Sequence, residues 1–352
     1  MKGAWRRILP VLIVLFSAVL TFAAQSQCRE IIDIFGEKVS IPDQPRKVYA
    51  TSPPLTYLLF AIDPSILAGL NSPLKGYEKK YLPKNMQDLP VLGGWFGQGK
   101  TPNLEMILKA NPEIVITSKY NSAMDDKVSD AMKTMSMPVI SVGCDILSEY
   151  PDSFLYLGKV LGREARGKQL ASYTRKTLSD MAGLAASIPA QERIAVYYAE
   201  GTDGLNTECD SSNHSELINL VGGRNVHHCK ATDRYGMAKI SLEQLMLYNP
   251  EVILVMEDSF FNRVFSDPLW QRIKAVRDKK VYLIPKAPFN WFDRPPSFMR
   301  VLGARWLAHT LYPNKYKVDM IKETQDFYKL FLGVQLGPQE AEEIMRQQRN
   351  GD

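Results

Sequence analysis

A fourteen-residue stretch of this chain occurs a second time in closely similar form. Asn103 to Ile116 aligns without a gap on Ser241 to Leu254, 138 positions further on. Leu104, Ile107 and Leu108, matched by Leu242, Leu245 and Met246, keep the i, i+3, i+4 spacing of a short amphipathic helix. Asn-Pro-Glu follows in both copies, and a proline disfavours helical geometry in the residue before it. Asn111 and Asn249 are therefore expected to turn the chain into the apolar runs Ile114 to Ile116 and Val252 to Val255. Those runs are short, β-branched and without alternation, the profile of a parallel strand covered on both faces. Two copies predict two similar lobes, and facing lobes make a cleft.

The N-terminus reads as separable. Lys2, Arg6 and Arg7 precede the apolar Ile8 to Leu20, with small residues at Ala23, Ala24 and Ser26, the pattern of a secretory signal peptide over residues 1–24. A membrane anchor is the competing reading, but the apolar stretch contains Pro10 and is short for a bilayer span of roughly 20 residues. Gln25-Ser26-Gln27 before Cys28 does not fit a lipoprotein signal. Loss of the leader's three basic residues leaves 40 basic against 38 acidic. A near-neutral chain without a basic stripe is not expected to bind nucleic acid.

Four cysteines in an exported chain pair most simply as disulfides, in one of three ways. Cys209 with Cys229 and Cys28 with Cys144 would keep each bond inside one lobe. Opening strands are expected over Ile31 to Val39 and Val48 to Ala50, and a closing strand of the first lobe over Pro138 to Val142. Only helical spacing runs from Tyr150 to Ile188, and its unbroken part, Glu164 to Ser187, would span about 36 Å at 1.5 Å per residue. The predicted fold is α/β: two Rossmann-like lobes, each with a mostly parallel sheet, joined by a single long α-helix. The expected divisions are a first lobe over 25–150, an interlobe helix over 151–188, a second lobe over 189–312 and a helical extension over 313–352.

Together with the two Leu-Glu helices, Ser215-Glu216-Leu217-Ile218 leading to Gly222-Gly223-Arg224-Asn225-Val226, and Asn290-Trp291-Phe292-Asp293-Arg294-Pro295-Pro296-Ser297 leading into a helix, give the chain a resemblance. It resembles the periplasmic substrate-binding proteins of ABC importers for iron-siderophores, cobalamin, haem and related metal chelates, over roughly Ile31 to Tyr312. The resemblance implies a helical backbone between lobes of the class III type, small closure on ligand, no intrinsic cofactor, and a transported metal chelate as cargo. It implies further that Glu105 and Glu243 dock onto the permease dimer in the inner membrane. The bland alternative is that each carboxylate merely complements the positive end of its own helix. A monomer in the periplasm is expected.

Open parallel sheets bind ligands at the carboxyl ends of their strands. By position this assigns Tyr57, Trp95, Phe96, Lys119, Tyr120, Tyr198, Trp291, Phe292 and Arg294 to the cleft. The aromatics would supply apolar walls, and Arg294 and Lys119 would meet an anionic complex, which favours an iron-siderophore. Trp291 and Phe292 can instead simply pack the last strand. His227 and His228, beside Cys229, suggest a second ligand class of nickel or cobalt chelates if one imidazole completes a coordination shell; loop packing is the alternative. The tryptophans suit cobalamin or haem. No P-loop, Gly-x-Ser-x-Gly elbow or His-Glu-x-x-His is present, so no motif proposes an enzyme. A cleft enzyme or a scaffold protein is the alternative from a different class.

Overall fold

A computed structural model describes residues 28–95, 101–119, 123–231 and 236–346. The leader, Phe96 and Tyr120 lie outside the described residues. The repeat folds as expected. Leu104–Ala110 and Leu242–Tyr248 are both seven-residue helices; the Asn103 side chain accepts from the Met106 N–H at 3.0 Å and Ser241 from Gln244 at 3.2 Å. Each helix ends on an asparagine in the left-handed region, with φ of 49° at Asn111 and 43° at Asn249. That is how the chain turns before each proline, since asparagine tolerates the left-handed cap. Leu104 and Leu108, expected on the inward face, are exposed; Ile107 and Ala110 are the residues that face the core.

Each helix delivers a buried strand. In the first lobe β3 (Val48–Ala50), β4 (Ile114–Thr117) and β5 (Val139–Ser141) form a parallel sheet in that order, and Leu67 bridges the free side of β3. In the second, β6 (Ala195–Ala199), β8 (Arg224–Asn225), β10 (Val252–Val255) and β11 (Val281–Leu283) lie in the order β8-β6-β10-β11, all parallel. The succession is the same in both lobes. Glu113 and Glu251, the glutamates of the two Asn-Pro-Glu turns, also do the same job twice. The Glu113 carboxylate accepts from the Arg46 N–H, and that of Glu251 from the Ala195 N–H at 2.9 Å, tying the turn to the neighbouring strand.

The single opening strand expected over Ile31 to Val39 is instead a hairpin of β1 (Cys28–Ile32) and β2 (Lys38–Pro42). Asp33 breaks it: its Oδ1 accepts from the N–H groups of Phe35 and Glu37, both at 2.9 Å, an Asx turn closed by Gly36 at φ 88°.

The long helix, Glu164–Ala186, lies against the helix Tyr150–Val160. Their backbones approach so closely that a Cβ on Gly167 would come within 2.4 Å of the Phe154 carbonyl oxygen. Arg305, on the buried helix Met299–Leu311, donates to Thr177 and Asp180 of the long helix at 2.9 and 3.0 Å. Phe298, Phe327 and Phe331 stack on one another, and Phe60 from the first lobe and Phe154 from the Tyr150–Val160 helix join them with ring centres 6.0 to 6.2 Å away. Arg300 crosses the same seam: it donates to the Asp145 carbonyl of lobe one at 3.2 Å, to Asn213 of lobe two at 3.0 Å, and pairs with Glu216.

Candidate functional site

The strand ends of lobe two gather an ionic cluster. After β6 the chain makes a tight reversal, with Glu200 and Asn206 exchanging backbone hydrogen bonds at 2.8 and 3.2 Å around Gly201 and Gly204. This sets Glu200 beside Glu208, which follows β7 (Asn206–Thr207). Arg294 arrives from the loop before the Met299–Leu311 helix and pairs with both carboxylates, while Asp293 lies 3.6 Å from its Nε. Glu200, Glu208 and Asp293 are fully buried. His214 meets Asp293 at 2.8 Å, and Glu208 also accepts from the Met237 N–H at 2.9 Å.

Burial pushes the Glu200 carboxyl up to about 8, with Arg294 opposing and Glu208 adding to the rise. Burial therefore favours the protonated form of Glu200, and a proton there removes the charge repulsion between the two glutamates. The Arg294 guanidinium is raised above its ordinary range: burial opposes its charge, and the Glu200 and Asp293 carboxylates outweigh it. Four buried polar atoms around the cluster, Tyr198 Oη, Glu200 Oε2, Thr207 Oγ1 and Glu208 Oε2, have no hydrogen-bond partner among the described residues. Buried polar groups are almost always satisfied, so these four atoms set the cluster apart from the rest of the core.

Cys209 and Cys229 are bonded to each other, as expected, with Cα atoms 5.0 Å apart. The bridge sits directly beside Glu208. Cys209, His227 and Cys229 bring their ligand atoms within 4.8 Å of one another, but metals bind the thiolate and the bridge uses both sulfurs. His227 bonds the Tyr248 hydroxyl at 2.9 Å, and burial holds its imidazole below the usual range against the pull of Asp210. His228 is 90% exposed and paired with Asp210. Both histidines are thus hydrogen-bonded to groups of their own lobe. The other expected bridge is not formed. β1 carries exposed Cys28 to the end where Arg29 donates to the Val160 carbonyl at 2.8 Å, whereas its far end, at Asp33, is the one near β5 and buried Cys144.

The expected aromatic walls turn inward. Trp291 is 0% exposed, donates from its indole to the Ala287 carbonyl at 3.0 Å and lies against Gly303, where a Cβ would fall 1.7 Å from its carbonyl oxygen. Phe292 and Tyr198 are equally buried and pack together with ring centres 4.7 Å apart. Tyr57 stacks on Phe289 at 3.8 Å, fastening lobe one to the loop of lobe two. Trp95 is half-buried against Tyr49. Of the expected cations, Arg294 is committed to Glu200 and Glu208, and exposed Lys119 lies 3.6 Å from Glu37 and 5.6 Å from the centre of the Phe35 ring. Sequence reading singled out neither Glu200 nor Glu208 as a partner of Arg294. Glu200 lies two residues past Tyr198, which position had assigned to the cleft, but nothing local reveals that Arg294, 94 residues away, is its partner.

Two α/β lobes with a shared topology, one long connecting helix and a polar cluster at the strand ends define a solute-binding protein. A family model described as periplasmic binding protein matches residues 65–288, and the chain belongs to that family, the class III binding proteins of ABC importers. A solved ABC transporter solute binding protein from Sulfurospirillum deleyianum is 41% identical, covers 90% of this chain and 99% of its own, and superposes with a TM-score of 0.85. The molybdate-binding protein MolA of Haemophilus influenzae is 26% identical across 94% of this chain and 98% of its own length. The high-affinity heme uptake system protein IsdE of Staphylococcus aureus is 25% identical over 63% of this chain and 75% of its own. These relatives are solute-binding proteins and not enzymes. What such a protein carries is a transported ligand, for which a metal chelate is chemically suited, and family membership implies an extracytoplasmic location. Among the described residues no helix is long and apolar enough to cross a membrane.

Proposed function

We propose that this chain captures a compact, neutral or cationic metal chelate between its lobes and hands it to an ABC permease. The observation that carries the ligand class is the pairing of Arg294 with two buried glutamates. A dianion meeting lobe two would find its guanidinium already matched, and desolvating more negative charge beside Glu208 and Asp293 is costly. A neutral or cationic complex needs no spare cation, and its N–H or O–H groups suit the unpartnered oxygens of Glu208, Thr207 and Tyr198. Burial of Trp291 and Phe292 removes the broad walls that a flat macrocycle such as haem would use. Within this class a ferric siderophore of neutral or positive charge comes first and a nickel or cobalt chelate next. The anionic ferric complex expected from the sequence loses its support.

The second reading is a metal oxyanion, favoured by the match to MolA over nearly the whole chain. Docking is assigned to Glu105 and Glu243, both exposed on the second residue of their helices. Leu104 and Leu108 beside Glu105, and Leu247 one turn beyond Glu243, are exposed too. Apolar surface around a paired charge suits a protein partner.

The test is to incubate the purified protein with ferric hydroxamate and catecholate siderophores, nickel with histidine, molybdate, cobalamin and haem. Metal retained after desalting is measured together with the thermal shift. A saturable ligand at a hundredfold excess over Kd stabilises by about 2.7 kcal/mol. Retention of a neutral or cationic chelate, lost in Glu208→Ala, is the expected result; retention of molybdate alone favours the second reading, and retention of none overturns both.

A further inference from the structure

If the walls expected in lobe two are buried, the organic shell of a chelate must be met elsewhere. The β1–β2 hairpin offers that surface. Its tip leaves Ile34 and Phe35 exposed, Phe35 by 44%. The tip is also placed and held. Asp33 is buried and spends one carboxylate oxygen on the hairpin's own turn, while the other accepts from the Ser141 N–H at 3.2 Å. Ser141 is the last residue of β5, so the turn is pinned at the carboxyl end of the lobe-one sheet. Lys119, two residues beyond the end of β4, holds its ammonium 5.6 Å from the Phe35 ring centre and 3.6 Å from Glu37. Ring and ammonium thus share the rim at the carboxyl ends of the lobe-one strands, where open parallel sheets bind ligands.

We propose that Phe35, steadied by Lys119, is a specificity-determining contact for the apolar shell of the cargo, complementing the polar cluster of Glu208 and Arg294 at the strand ends of lobe two. An aromatic ring left in water at a strand-end rim loses little by staying there and gains when an organic surface covers it. The cation over one face leaves the other for the ligand. Lobe one would read the carbon skeleton and lobe two the polar groups. This rests on the metal-chelate reading above.

The experiment compares wild type, Phe35→Ala, Phe35→Tyr and Leu269→Ala, the last an exposed apolar residue of lobe two. Dissociation constants are measured for a ferric hydroxamate siderophore, nickel with histidine, and molybdate. For the chelate that wild type retains, Phe35→Ala should weaken binding by about fivefold or more and Phe35→Tyr should restore it. Leu269→Ala should stay within about twofold. Ligand-free melting temperatures should coincide, because the ring is exposed. Unchanged affinity in Phe35→Ala, with wild-type binding of the chelate intact, overturns the inference and leaves the chelate reading standing. Wild-type retention of molybdate alone overturns the choice of cargo and, with it, a role for Phe35.

Discussion

The two lobes are built alike and finished differently. Both reach the cleft through the same seven-residue helix, left-handed asparagine and buried parallel strand, and both fasten the turn with a glutamate reaching a neighbouring strand. At the strand ends likeness stops. Lobe one presents an exposed lysine and aromatic ring; lobe two buries three carboxylates around one arginine. The scaffold was duplicated in form, while the surface that meets the cargo is set by residues outside the repeat.

That contrast can be broken most forcefully at Arg294. Arg294→Ala strands Glu200 and Glu208 without their cation and should cost about 3–5 kcal/mol in chemical denaturation. Lys119→Ala, its lobe-one counterpart at an exposed pair, should cost under about 1 kcal/mol. Equal losses would mean that the lobes are not so different. Next in size, replacing Cys209 and Cys229 by serine should remove about 2–4 kcal/mol, read as a lowered urea midpoint that reductant reproduces in wild type.

The pH response sharpens the comparison further. Glu200 binds its proton more tightly in the folded protein than in the unfolded chain. Between its ordinary carboxylate value and about 8 the native state therefore holds the extra proton, so stability falls as pH rises through that window, by at most about 1.4 kcal/mol per unit. Glu216, also raised by burial, acts in the same direction. Melting temperatures from pH 5 to 8 should decline, and Glu200→Gln should make the decline shallower; an unaltered slope in the variant would remove Glu200 from the account. The smallest effects test likeness itself: Asn111→Ala and Asn249→Ala should each cost about 1 kcal/mol for a left-handed alanine, agreeing within about 0.5 kcal/mol.

Periodicity made the helices, the buried strands and the long connector legible, because those depend on neighbours three, four or two residues away. The Glu164–Ala186 helix lies within one residue of its expected end. What escaped depends on distant partners. Nothing adjacent to Trp291 distinguishes a wall from a core residue; Gly303, which it packs against, does. Arg294 looked available because its glutamates lie far back in the chain, and the Asp33 turn was hidden inside an apolar run. Assigning Cys28 and Cys144 to one lobe was no help, since β1 points Cys28 away from Cys144.

The phenylalanine seam, with Gly167 set hard against Phe154, carries a mechanical consequence. If two halves riveted along such a line move as one springy body, their outer helices would keep a nearly constant separation. A receptor gripping both helices at once would find the same footholds on a full and an empty carrier. It would have to tell them apart by stiffness, by how much the body yields when pulled, and not by outline.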